Sequence, residues 1–143
     1  MFLTLKLPKP LTLGELHDTL YYFKDGDTAD DLKVEFDFGG SPHNLHSFRG
    51  DYRGLGISRT DEATMGLRYL FSFYHDIDDA IRGSIVFEGY KGAVYRMNRD
   101  SLVYICDPNE TRCVIDGQSY PYIGIVGVNL RGSSVILQTG SYK

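Results

Sequence analysis

Two stretches of this chain combine permanent positive charge, aromatic rings and glycine. In the first, Ser47-Phe48-Arg49-Gly50-Asp51-Tyr52-Arg53-Gly54-Leu55-Gly56-Ile57, glycines allow close backbone approach while Arg49 and Arg53 offer forked, always-charged donors beside the ring of Tyr52. In the second, Phe87 to Asp100, the rings of Phe87, Tyr90 and Tyr95 stand beside Lys91, Arg96 and Arg99. Rings that stack on bases, set next to cations that neutralise phosphate, form a nucleotide-binding set. Each stretch also has a purely structural reading. The first can be a tight loop in which Arg49 or Arg53 pairs with Asp37 or Asp51, and the second a twisted hairpin whose basic side chains lie over apolar surface.

Catalytic chemistry finds less support. The first stretch lacks both the Gly-Lys-Ser/Thr ending of a nucleotide-hydrolase loop and the glycine spacing of a dinucleotide fold. His43 and His46 are two side chains without a nearby third metal ligand, and Gly40 and Pro42 disfavour a helix around them. His75, Asp76, Asp78 and Asp79 read as a solvated acidic edge, and His17 as a packing or surface histidine. No Ser or Cys sits in a nucleophile motif, so binding without catalysis is the expectation, with no cofactor.

The elements that must position these residues are legible from periodicity. Leu3, Leu5 and Leu7 alternate as a strand that Pro8 stops. Thr12 and Glu15 form a capping-box pattern ahead of Leu13, Leu16, Leu20 and Phe23, which predicts a helix over about 12 to 23. Leu32, Val34, Phe36 and Phe38 alternate as a second strand. Residues 39 to 56 carry glycines and a proline without lasting periodicity, which predicts a long connection. Asp61 can cap a second helix through Ala63, Leu67, Leu70, Phe71, Tyr74, Ile77 and Ile81, stopped by Gly83. Strands follow at 84–87, 102–106, 113–116, 122–128 and 135–138. Helices followed by a run of strands predict a single α+β domain over residues 1–143, with two helices packed on a mainly antiparallel sheet system.

Composition sets the bounds. A chain of 143 residues suits one core, and 42% hydrophobic with 24% charged residues excludes a disordered chain. A net charge of −4 argues against a broad face for long nucleic acid, so any anion site is local. The 11 Tyr and 8 Phe, with no Trp, supply many rings that pack while staying partly wet. No window suits a secretory signal or a membrane span, which gives a cytoplasmic expectation. Cys106 and Cys113 flank the turn 107–112; a bond between them is geometrically possible, and reduced thiols are the expectation in that compartment.

Three stretches, Phe36 to Gly40, Ser47 to Ile57, and Phe87 to Gly92 with the following Met97 to Ile105, resemble small phage-encoded proteins. The pattern is similar to the first type of Thoeris anti-defence protein, over Leu32 to about Ile105. Ala93 departs from it, since a second glycine after Gly92 is more typical. The resemblance implies a homo-oligomeric sponge that binds cyclic ADP-ribose isomers made by bacterial defence enzymes and holds them uncleaved, some members also binding cyclic oligonucleotides. Within the matching motifs, chemistry nominates Arg49, Arg53, Lys91, Arg96 and Arg99 for phosphate and Tyr52, Phe87, Tyr90 and Tyr95 for stacking or ribose. The rival expectation is a protein-binding inhibitor of a host defence protein that uses the same Tyr- and Arg-rich surface.

Overall fold

The computed structural model describes residues 9–24, 31–48, 51–60, 66–88, 90–105, 113–115, 117–120 and 123–141; at 48, 51–53, 60, 90, 113–115, 118–120 and 141 it describes the backbone alone. The strand expected at 2–7, the cap at Asp61, Arg49, Cys106 and the turn 107–112 lie outside these residues.

Helix α1 spans Leu13–Lys24. The expected capping box is present: Thr12 N–H donates to Glu15 Oε1 at 2.9 Å and Glu15 N–H to Thr12 Oγ1 at 3.2 Å. These reciprocal bonds satisfy two donors that a helix start otherwise leaves open, a contribution of about 1 kcal/mol. Leu13, Leu16 and Leu20 are fully buried, as the three-and-four spacing requires. The N–H groups of Leu13 and Gly14 donate to the carbonyls of Ser101 and Arg99, each at 2.9 Å, so the turn at 98–101 sits on the helix start. Gly14 permits this approach, since a Cβ there would lie 2.9 Å from that of Arg99.

Strand β1, Lys33–Phe36, alternates as predicted, with Val34 and Phe36 buried. It ends two residues sooner than the apolar pattern because Gly39 and Gly40 take positive φ (99° and 80°) and turn the chain back, Phe36 N–H donating to Gly40 O. Strands β2, Ser41–Phe48, and β3, Asp51–Thr60, come next and pair antiparallel. Here the structure corrects the expected long connection at 39–56. The alternation is hidden for two reasons. Register shifts between Pro42 and Leu45 and between Ser47 and Phe48 break the period in β2. In β3, Gly54 to Ser58 are all buried, because the strand lies between β2 and a third strand and is covered on both faces.

The second helix also begins later than predicted. Gly66 has φ 76°, and Arg68–Tyr69 then form a short strand, β4, antiparallel to β1. Helix α2 spans Leu70–Ile81 and buries Leu70, Phe73, Tyr74, Ile77 and Ala80. Gly83, with φ 76°, ends it as predicted. Strands β5, Phe87–Glu88, and β6, Val94–Tyr95, form a small hairpin in place of the strand predicted at 84–87. Strand β7, Leu102–Ile105, runs parallel to β3. A hairpin of β8, Cys113–Ile115, and β9, Gln118–Tyr120, precedes the long antiparallel pair β10, Ile123–Arg131, and β11, Ser134–Ser141.

One four-stranded sheet has the order β10-β11-β1-β4, with β11 parallel to β1, and a three-stranded sheet has the order β2-β3-β7. A single apolar cluster draws on α1, α2 and both of these sheets, including Leu16, Leu20, Phe36, Ile57, Phe73, Ile105 and Ile125. The class is α+β.

Candidate functional site

The two stretches singled out in the sequence meet. Ser47 Oγ, near the end of β2, donates to the Glu88 carbonyl of β5 at 2.9 Å, and Tyr95 of β6 donates its hydroxyl to the Gly54 carbonyl of β3 at 3.3 Å. The β2–β3 hairpin and the β5–β6 hairpin therefore abut. Backbone connectivity puts Tyr52 and Arg53 immediately before the Gly54 carbonyl that Tyr95 engages. The tip of the second hairpin is the 3-10 turn Tyr90–Gly92, where exposed Lys91 has φ 61° and Gly92 φ 78°. A non-glycine residue in this left-handed region carries a backbone cost of about 1–2 kcal/mol.

Other nominated residues go elsewhere. Phe87 is 5% exposed and packs in the core, its ring centroid 6.0 Å from that of Tyr95. Its nomination for stacking is corrected: the inward position in β5 gives this ring to the fold. Arg96 donates Nε to the Gly83 carbonyl at 2.9 Å, beside the end of α2. Arg99 bonds the Asp18 carboxylate of α1, with Nη1 3.3 Å from Oδ1. It anchors the 98–101 turn to the helix.

That anchor continues into a polar chain between the helices, half-buried at His17 and Asp78 and exposed at Asp18 and Arg82. His17 Nε2 lies 2.8 Å from Asp78 Oδ1 and its Nδ1 lies 3.1 Å from Asp18 Oδ1, while Arg82 Nε donates to Asp78 Oδ2 at 2.7 Å. The Tyr74 hydroxyl stands 3.2 Å from His17 Nε2, and burial with the Asp78 carboxylate pushes its phenol above the ordinary range. Hydrogen bonds from Arg99 and His17 hold the Asp18 carboxyl below its ordinary value. Burial pushes Asp78 upward, but bonds from His17 and Arg82 outweigh it and its net direction is down. Carboxylates depressed in the folded state stabilise it above their ordinary value of 3.8 and lose that contribution as pH falls through the folded pKa. Thermal stability should therefore fall with acid below about pH 4, and Asp78→Asn should flatten that slope. An unchanged acid slope in the variant would contradict this role.

Sequence reasoning passed over a cleft of about 480 Å³ lined by His43, Asn44, Gly66, Leu67, Arg68, Tyr69, Ser72 and Asp76. Arg68 organises it, donating to the His43 carbonyl at 2.6 Å, to Ser72 Oγ and to the Asp76 carboxylate. Arg68 falls inside the helix expected from Asp61 to Ile81, and the left-handed Gly66 is the signal that breaks that helix before it. His43 lines this cleft and His46 Nδ1 lies 3.0 Å from the Ser47 carbonyl. Among the described residues no group of three His, Cys, Asp or Glu side chains is arranged to hold a metal ion.

Comparison with protein-family models, curated proteins and solved structures returns no match. Among the described residues no helix is long and apolar enough to cross a membrane.

Proposed function

We propose that this chain binds and sequesters a cyclic nucleotide immune signal, of the cyclic ADP-ribose isomer class, and holds it uncleaved as a cytoplasmic phage anti-defence protein. The observation that supports this is the junction of the β2–β3 and β5–β6 hairpins, fixed by Ser47 on Glu88 and Tyr95 on Gly54. Lys91 supplies phosphate-binding charge there and Tyr95 a ring, and the sequence of the same two stretches adds Arg49, Arg53, Tyr52 and Tyr90. A cyclic nucleotide with a pyrophosphate matches both, offering a base to stack and anionic oxygens for charge-assisted bonds. Capture requires no nucleophile and no general base. A chain of 143 residues has little room to enclose such a ligand alone, so the working form in this reading is a homo-oligomer.

Isothermal titration tests this with cyclic ADP-ribose isomers, expecting saturable binding at micromolar protein. Absence of binding to every isomer tried would sink the reading for this class.

A second reading is a protein-binding inhibitor of a host defence protein, expected on the same Tyr- and Arg-rich surface; the helices add a further exposed aromatic one. Tyr21, Tyr22 and Phe71 are 47%, 77% and 48% exposed on the two helices, and such rings are favoured where proteins dock. A pull-down that retains a host protein but no nucleotide would favour it.

A further inference from the structure

We infer that the outer edge of β10 is a dimer interface, along which a second copy of this chain lays its own β10 antiparallel about a two-fold axis at Asn129. Such a pair is one form of the oligomer proposed above, yet it follows from the strand edge alone, whatever the hairpin junction binds.

Strand β10 is the last in its sheet, and β11 decides which of its backbone groups face outward. The carbonyls of Ser133 and Leu137 accept from the N–H groups of Lys33 and Asp37, each at 3.0 Å, so the odd-numbered residues of β11 face β1. The even-numbered ones, Ser134, Ile136 and Gln138, therefore face β10 and engage Arg131, Asn129 and Gly127. Val128 and Leu130, opposite Leu137 and Val135, turn their N–H and C=O groups outward. Ile125 obeys the same rule, its carbonyl accepting from Leu11 N–H at 2.7 Å, which closes the edge ahead of Val128. The outward groups of Val128 and Leu130 take no hydrogen bond among the described residues.

Sheets that must stay single guard such an edge with Lys, Pro or an inward charge. This one carries none of these: Ile123–Arg131 reads Ile-Gly-Ile-Val-Gly-Val-Asn-Leu-Arg, and the bulge between Ile125 and Gly127 lies ahead of the open stretch. The open groups are also self-complementary. They stand on either side of Asn129, so a two-fold axis there sets Val128 opposite Leu130 of the second copy and Leu130 opposite its Val128, closing four N–H···O bonds. Leu130 is 53% exposed, while Val128 packs on the core, so each Leu130 gains the other copy's Val128 as cover. On the opposite face Asn129 meets Asn129, two amides that both donate and accept. Arg131 falls opposite Gly127 of the second copy, where Gln138 Oε1 stands 2.8 Å from the place a Cβ would take and offers the guanidinium an acceptor. The two arginines sit at opposite ends of the pair, so like charges do not meet. An unrelated strand would need to match these positions one by one; a second copy matches them by symmetry.

Analytical ultracentrifugation of the full chain without ligand should give a concentration-dependent dimer, and amide hydrogen exchange on the same samples reads the edge. Val128 and Leu130 amides should be protected in the dimer and exchange at least about tenfold faster on dilution to monomer, while Asn129, bonded to β11, stays protected in both. Leu130→Pro removes an outward N–H and spares the β11 ladder; by symmetry it deletes two of the four bonds, so dimer dissociation should rise by about tenfold or more. Leu130→Lys leaves the backbone intact and should act in the same direction, which covers the case where proline disturbs folding. A chain that stays monomeric up to millimolar protein, a dimer unmoved by both folded variants, or a monomer whose Val128 and Leu130 amides are already protected would overturn the assignment; the last would hand the edge to a segment of the same chain. A dimer that meets these tests but captures no nucleotide leaves the interface standing and sinks only the binding reading.

Discussion

Truncating Phe73 to Ala is expected to lower the stability of the fold by about 3–5 kcal/mol, read as a shift of the urea midpoint. Phe73 is fully buried on the inner face of α2, between Leu70 and Ile77 along the same stripe. The loss combines the transfer energy of the ring with the cavity left among neighbours that cannot all close on it. Small domains hold about 5–15 kcal/mol in total, so this one change removes a large share. Arg68 adds a local consequence, since its guanidinium carbon lies 5.7 Å from the Phe73 ring centroid. Losing the ring loosens the wall of the cleft as well as the core. Phe73→Leu, which keeps most of the volume, should cost well under half as much. A shift below about 1 kcal/mol for Phe73→Ala would mean that α2 does not pack as described.

The second large effect concerns the hairpin junction. Removing a charge-assisted phosphate contact should cost about 1.5–3 kcal/mol of binding, so Arg53→Ala and Lys91→Ala should each weaken a cyclic ADP-ribose isomer by about 10- to 150-fold in titration. Lys91→Gly is the more telling variant. Glycine adopts the φ of 61° without a Cβ penalty, so the protein should become more stable by about 0.5–1 kcal/mol while binding falls. A loop with no role in binding would show the gain in stability and unchanged affinity. Arg99→Ala makes the contrasting control. Its guanidinium is bound to Asp18, so its removal should loosen the 98–101 turn on α1 and leave ligand affinity near wild type.

The parts of this fold that were legible in the sequence are those set by neighbours along the chain. Thr12 and Glu15 are three residues apart and their reciprocal bonds form within one turn, so the start of α1 could be read directly. Val34 and Phe36 alternate cleanly because β1 has its apolar side chains on one face. The β2–β3 hairpin was obscured because β3 is covered on both faces and β2 is bulged, which erases the period that identifies a strand. The start of α2 was obscured because Leu67 continues a helical spacing that the left-handed Gly66 prevents.

The candidate site divides in the same way. Residue types nominated both stretches, but Ser47 to Glu88 and Tyr95 to Gly54 are each contacts across 41 residues, and no local pattern encodes them. The bond between Arg99 and Asp18 spans 81 residues, and for that reason a cation nominated for phosphate could not be recognised as an anchor for α1. The cleft was hidden more completely. It depends on the chain turning at Gly66 so that Arg68 reaches back to the carbonyl of His43, 25 residues earlier.

Sequestration without cleavage is tested by recovering the bound ligand. The purified protein is loaded with a cyclic ADP-ribose isomer, freed of unbound ligand and heat-denatured, and the released small molecule is weighed by mass spectrometry. Intact ligand should return in stoichiometric amount. A ring-opened or hydrolysed product, or no retained nucleotide at micromolar protein, would contradict it.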